Sequence, residues 1–216
     1  MTGLPGWLQQ LAASAPALTG DQLSRFQPPD EGGRESAVLV LFGEGPSGPD
    51  VLLIERAATM RSHAGQPAFP GGAIDPGDAS PTAAALREAV EETGLDPAGV
   101  DVLGELPQLW LPPSGFVVVP VLAWWREPSA VSAVDPAECA AVARVPVADL
   151  TDPANRLRVR HQSGYVGPAF EVGGMLVWGF TAGLLDRLLD LAGWALPWDL
   201  ARVREITSDG LLVPPV

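Results

Sequence analysis

Between Ser80 and Gly94 the chain carries both the punctuation of a helix and an unusual load of negative charge. Ser80 stands where an N-cap belongs, Pro81 at the first helical position and Gly94 just past the end. This order satisfies the unpaired N–H and C=O groups at the two ends of an α-helix. Inside it, Arg87-Glu-Ala-Val-Glu-Glu-Thr-Gly94 sets Glu88 and Glu92 four apart on one face, with Glu91 alongside. Like charges at that spacing repel by about a few tenths of a kcal/mol per pair even in water, and more as water is excluded. A turn with three carboxylates offers the hard oxygen ligands that Mg²⁺ or Mn²⁺ takes; on its own it equally suits a solvated acidic face. Ala83, Leu86 and Val90 share a face by their spacing, and that face is expected to pack inward.

The rest of the chain reads as strands with a few helices. Leu4 to Leu18 has Leu4, Trp7, Leu8 and Leu11 at helical spacing, and a polar stretch through Pro28, Pro29, Gly32 and Gly33 follows. Ala37–Phe42 and Val51–Ile54 are apolar runs of strand length around a Gly/Pro-rich loop. Further strands are expected at Val102–Leu106, Phe116–Trp125, Ala140–Val145, Arg156–His161 and Ala169–Val177, and a last helix at Phe180–Ala192. The pattern predicts an α+β class with an α/β/α layered architecture. At 216 residues it suits one domain, 1–216, made of a helical extension (1–34), a core (35–195) and a C-terminal tail (196–216).

A formal net charge of −13 excludes a general nucleic-acid binder, which needs a basic face to displace counterions, and disfavours anionic membrane surfaces. An acidic protein still binds phosphates when a metal ion supplies the positive charge. Cys139 is the only cysteine, so no intrachain disulfide forms, and it reads as a small buried apolar residue in a reducing cytoplasm. The apolar runs Phe116–Trp125 and Met175–Leu185 are too short to span a bilayer, and Met1–Ala12 has no basic stretch of the signal-peptide kind.

The loop before the acidic helix, Phe69-Pro-Gly-Gly72 and then Ala73-Ile-Asp-Pro-Gly-Asp78, completes a recognisable pattern. With the helix it resembles the Nudix box, G-x5-E-x7-R-E-U-x-E-E-x-G-U, where U is a bulky aliphatic residue. Arg87, Glu88, Glu91, Glu92, Gly94 and Leu95 match; Ala89 is small for its U position. Counted from Gly72, the motif's Glu position holds Asp78, and the gap to Arg87 is one residue longer than the general pattern. Just upstream, Leu52-Leu-Ile-Glu-Arg56-Ala57, Arg61, Gly65 and Phe69–Gly72 are similar to the signature of the coenzyme A pyrophosphatases within that superfamily, except that Ile54 replaces a Thr. The two motifs cover Leu52 to Leu95, about a fifth of the chain.

The resemblance implies a Nudix-like α/β/α sandwich with a mixed sheet and a metal-dependent enzyme. Glu88 and Glu92, with Glu91 as a third or water-mediated ligand, would bind Mg²⁺ or Mn²⁺; Arg87 would orient them. The substrate implied is a small molecule, coenzyme A or a thioester of it, cut to 3′,5′-ADP and 4′-phosphopantetheine or its acyl form. Gly71 and Gly72 would approach it. Arg56, Arg61 and His63 are the cationic cluster nearest the box and suit its phosphates, or else belong to a solvated loop. Glu138 is a later-loop candidate for the general base, with an exposed loop residue as the alternative, and Ser114 and Phe116 are candidates for the pocket wall. Trp178, Trp194 and Trp198 suit packing better than stacking on substrate. Two other readings stand beside this one: a Nudix hydrolase of ADP-ribose or another nucleoside diphosphate, and a silent nucleotide-sensing domain. The helix near the N-terminus and the last 20 residues serve either a homodimer interface or the cover of the core.

Overall fold

The computed structural model describes residues 3–29, 32–59, 64–112, 114–207 and 210–213. In chain order the elements are α1 (Gly6–Ser14), α2 (Gly20–Leu23), β1 (Arg34–Gly45), β2 (Gly48–Arg56), β3 (Pro67–Ala68), β4 (Gly71–Ala73) and α3 (Pro81–Thr93). Then come β5 (Val100–Glu105), β6 (Leu109–Leu111), β7 (Phe116–Trp125), β8 (Cys139–Pro146), α4 (Val147–Thr151) and β9 (Arg156–His161). The chain ends with β10 (Val166–Val172), β11 (Met175–Val177), α5 (Gly179–Leu191) and β12 (Val203–Ile206).

The feature that creates the site is a fork in the first sheet. β1 and β2 are hairpin partners that pair only near their turn, from Phe42↔Val51 to Gly45↔Gly48. Away from the turn they diverge, and the Pro67–Ala73 segment enters the gap. Its first half pairs with β2 (Ile54↔Ala68) and its second half with β1 (Ala37↔Gly72, Val38↔Gly71). On their outer edges β1 runs parallel to β7 and β2 runs antiparallel to β8. The backbone groups exposed by the fork are thereby satisfied without another full strand.

Alternation of side chains splits the core into two layers. Leu39, Leu41, Leu52, Val119, Val121 and Ala123 face α3, where they meet Ala84, Ala85 and Ala89. Val40, Phe42, Leu53 and Leu122 face the opposite way, toward Leu8 and Leu11 of α1 and Leu184, Leu185, Leu188 and Leu189 of α5. The mixed sheet between helices is the α+β arrangement expected. The facing of α3 departs from the expected one. The inward face of α3 is Ala84, Ala85, Ala89, Glu92 and Thr93, not Ala83, Leu86 and Val90; Val90 is 37% exposed. The three alanines let the helix axis lie close on β1 and β4, and close approach selects small side chains over large ones. Leu86 packs only at the rim of this layer.

A second, four-stranded sheet, in the order β11-β10-β9-β12, lies beyond α4. The single strand expected over Ala169–Val177 is a hairpin, because Gly173 and Gly174 take φ of 57° and 78° and close a tight turn between Val172 and Met175. Arg156 of β9 is 1% exposed, held between the rings of Phe170 and Trp198 and paired with Asp186 of α5. Trp194 packs on Trp7 and Phe42. Trp194 and Trp198 thus serve packing, and α1 covers the core. Among the described residues no helix is long and apolar enough to cross a membrane.

Candidate active site

α3 begins as its sequence dictates: the Ser80 hydroxyl accepts the Ala83 N–H at 3.1 Å, and Gly94 closes the helix at φ 70°. Glu105 of β5 adds a negative charge at this end, accepting from the Thr82 hydroxyl at 2.7 Å and from its N–H at 3.2 Å. The helix is thereby fixed against the forked sheet with its second half beneath Gly71 and Gly72.

The two glycines are required by contacts made on either side. Gly71 has φ 155°, and a Cβ there would come within 2.3 Å of the Ala37 carbonyl across the β1–β4 ladder. Its N–H donates to Glu92 Oε2 at 2.9 Å. A Cβ on Gly72 would fall 2.4 Å from Glu88 Oε1, so the Glu88 carboxylate occupies the space that any other residue would fill.

Glu92 is 5% exposed. Burial pushes its pKa up to about 7, against the Gly71 N–H and the nearby Arg56 charge, while Glu88 and Glu138 push it further up. Burial also raises Glu88; the hydrogen bond from Arg87 opposes the shift, and the charges of Glu91 and Glu138 add to it. Glu138 itself is an exposed residue in the loop before β8. Its backbone carbonyl accepts the Ala57 N–H at 2.8 Å, which ties that loop to the end of β2.

Arg87 is the hub of the acidic turn. Its Nε and Nη2 grip Asp78 bidentately at 3.0 Å each. Nη1 donates to Glu88 at 3.0 Å and to Glu91 at 3.2 Å, and Nη2 also reaches the Ala73 carbonyl at 3.2 Å. Asp78 is only 7% exposed, and its hydrogen bonds with Arg87 hold its carboxyl below the usual range. Asp78 is the site residue that sequence reasoning left without a role. The signal was present: an acidic residue at the motif's Glu position in a loop one residue too long.

Arg56 lies at the end of β2, opposite Cys139, on the side of the sheet that faces α3. Its Nε is buried with no hydrogen-bond partner among the described residues. Cys139 is buried beside it, and burial raises its thiol, as suits an inert packing residue. The Ser114 carbonyl accepts from Arg34 at 3.1 Å, and its hydroxyl is buried with no hydrogen-bond partner among the described residues. Phe116 lies under the same Arg34 guanidinium, 4.1 Å from ring centre. Arg61 and His63 lie outside the described residues.

The arrangement gathers Glu88, Glu92 and Glu138 around one partly desolvated place. Among the described residues no three carboxylates converge on a point as a ready-made cage, because Glu91 is turned to Arg87 and 58% exposed. The donor set nevertheless suits a hard divalent cation. Glu88 sits in a cradle that a Cβ would fill, and burial raises the proton affinity of both carboxylates, with Glu88 adding to the shift of Glu92, in want of positive charge.

Comparison with known proteins agrees with this geometry. The family model of the NUDIX domain matches residues 33–166. The uncharacterized Nudix hydrolase NudL of Cronobacter sakazakii is 42% identical over 165 residues, covering 72% of this chain and 81% of the relative. A NudL protein of Salmonella paratyphi B is 36% identical over 195 residues, covering 86% and 92%. The crystal structure of RenU, a Nudix hydrolase from M. smegmatis, superposes with a TM-score of 0.54 at 21% identity over 78% of this chain and 91% of that one, a likeness of fold. With the family model matching well over half of its length, the chain belongs to the Nudix family of hydrolases acting on pyrophosphate bonds.

Proposed function

We propose that this hydrolase cuts the diphosphate linkage of coenzyme A or its thioesters with water, giving 3′,5′-ADP and 4′-phosphopantetheine or its acyl form. The observation that carries the reading is Arg56: a guanidinium beside Glu92 whose buried Nε has no partner among the described residues, on the residue that the coenzyme A pyrophosphatase signature places there. A substrate phosphate would supply the missing acceptor, and an Arg fork suits it in geometry and charge.

Glu88 and Glu92, with Glu91, would hold Mg²⁺ or Mn²⁺. When bound, the cation offsets phosphate charge and lowers the pKa of attacking water. The chain's own residues do the rest. Arg87, locked by Asp78, keeps the Glu88 and Glu91 carboxylates in place. Glu138, exposed and within electrostatic reach of Glu88 and Glu92, accepts the proton of the attacking water. The water oxygen bonds to one phosphorus as the bridging P–O bond breaks, and the departing phosphate carries the electron pair away. The molecule works in the reducing cytoplasm, where a lone buried cysteine stays a thiol.

Ile54 supports a second reading, in which ADP-ribose is the substrate, since it departs from the subfamily signature. Incubating the protein with coenzyme A, ADP-ribose and NADH in Mg²⁺ or Mn²⁺, with Glu92→Gln as control, separates the two. Release of 3′,5′-ADP from coenzyme A faster than either competitor is cut, and lost in the variant, is the expected result. Intact coenzyme A alongside cleaved ADP-ribose overturns the substrate assignment and leaves the family standing; no cleavage in either metal favours a nucleotide-sensing domain.

A further inference from the structure

On the other face of β2 from Arg56 lies a groove that the catalytic reading does not use. Its volume is about 140 Å³, and its walls include Glu55, Pro67, Met175, Leu176, Trp178 and Leu211. It is built by the meeting of the two sheets: β3 on one side, the β10–β11 hairpin on the other. Trp178 is held rigidly there. His161 stacks on it at 5.7 Å, and a Cβ on Gly210 would come within 2.7 Å of the indole.

The chemistry of the walls selects the occupant. Met175, Leu176, Trp178 and Leu211 supply an apolar side, Gln66 and the backbone of Gly65, Gly174 and Gly210 a polar one, and Glu55 a carboxylate, so phosphates are repelled. A cavity of about 150 Å³ holds a benzene-sized group, roughly six heavy atoms, which leaves no room for a purine with its ribose phosphate. A short alkyl or thioether end joined to an amide fits both the volume and the mixed lining.

The groove and the active site also share one stretch of backbone. Glu55 and Arg56 are consecutive on β2 and point to opposite faces. Arg56 exchanges backbone hydrogen bonds with Gln66 and Gly65, next to Pro67 on the groove wall. From Pro67 to Gly71, whose N–H holds Glu92, is four residues, at most about 13 Å. The pantetheine arm has about as many backbone bonds between its phosphate and its sulfur as a four-residue peptide, so its length matches that separation.

We propose that this groove is the subsite for the sulfur end of the pantetheine arm, with room for a short acyl group, and that Glu55 discriminates against acyl groups bearing a carboxylate. The proposal rests on the coenzyme A reading above.

Butyryl- and succinyl-coenzyme A carry four-carbon acyl groups that differ in charge, and their kcat/KM ratio is the test. The unmodified protein is expected to prefer the butyryl thioester by about tenfold or more. Glu55→Gln should reduce that preference by about tenfold, mainly through KM, and Leu211→Trp, at a rim position 66% exposed, should raise KM for both. S-butyryl-pantetheine, which lacks nucleotide and diphosphate, should bind in titration calorimetry and bind more weakly to Leu211→Trp. Cleavage with equal preference for the two thioesters, or a ratio unchanged in Glu55→Gln, overturns the groove assignment and leaves the coenzyme A reading intact. If coenzyme A is not cut at all, that reading falls; binding of S-butyryl-pantetheine lost in Leu211→Trp still upholds the groove, and no binding overturns it.

Discussion

Glu92→Gln should make the cation-free protein more stable while destroying its activity. Glu92 is 5% exposed and its pKa is raised by burial to about 7 from 4.5. A carboxyl raised in the folded state favours its protonated form there, so its ionisation costs stability once the pH exceeds the unfolded value. The cost is absent below pH 4.5, grows between 4.5 and 7, and is constant above 7. A shift of about 2.5 units at about 1.4 kcal/mol each gives about 3 kcal/mol at pH 8, and less than about 1 kcal/mol at pH 5. Gln has the same shape and can still accept the Gly71 N–H, without the charge. In thermal unfolding with EDTA the variant should therefore melt about 6–12 °C above the unmodified protein at pH 8 and within a few degrees of it at pH 5. Millimolar Mg²⁺ should close the gap at pH 8 by stabilising only the protein that keeps the carboxylate. Equal melting points at pH 8 without cation would refute the claim that Glu92 is held charged at a desolvated place.

Asp78→Ala should lower activity by about tenfold to a hundredfold with the fold intact by circular dichroism, because Arg87 loses its bidentate anchor and the carboxylates lose their orientation. The adjacent glycines should behave differently. Gly71→Ala, whose methyl would meet the Ala37 carbonyl at 2.3 Å, should cost more than about 2 kcal/mol in urea unfolding. Gly72→Ala meets only the movable Glu88 carboxylate, and should unfold at nearly the unmodified urea midpoint while losing activity. In the second sheet, Asp186→Ala leaves the guanidinium of Arg156 buried and unpaired and should cost about 3–5 kcal/mol, whereas Arg156→Met with Asp186→Leu should come close to neutral; a double variant as unstable as the single one would argue against the charge as the cause.

What could be read from the chain alone was whatever is encoded over a few consecutive residues. The ends of α3 were legible because a cap is a local event: Ser80 bonds three residues ahead, and Gly94 turns where it stands. β7 was legible with its full bounds because a continuous β-branched and apolar run fits a buried strand, and β9 because Leu157 and Val159 alternate with charged residues. The clustering of Glu88, Glu91 and Glu92 on one turn follows from helix geometry alone. Tertiary structure decided what depends on the partner across a gap. Which face of α3 turns inward was set by how closely the sheet approaches, so three alanines won over Leu86 and Val90. The fork between β1 and β2 gave Gly71 and Gly72 their contacts with the two carboxylates, and no residue spacing within the loop announces a neighbour on another strand. The pairing of Asp78 with Arg87 and the burial that raises Glu92 belong to the same class. Desolvation and ion pairing are properties of surroundings, and those exist only once distant segments have closed around the site.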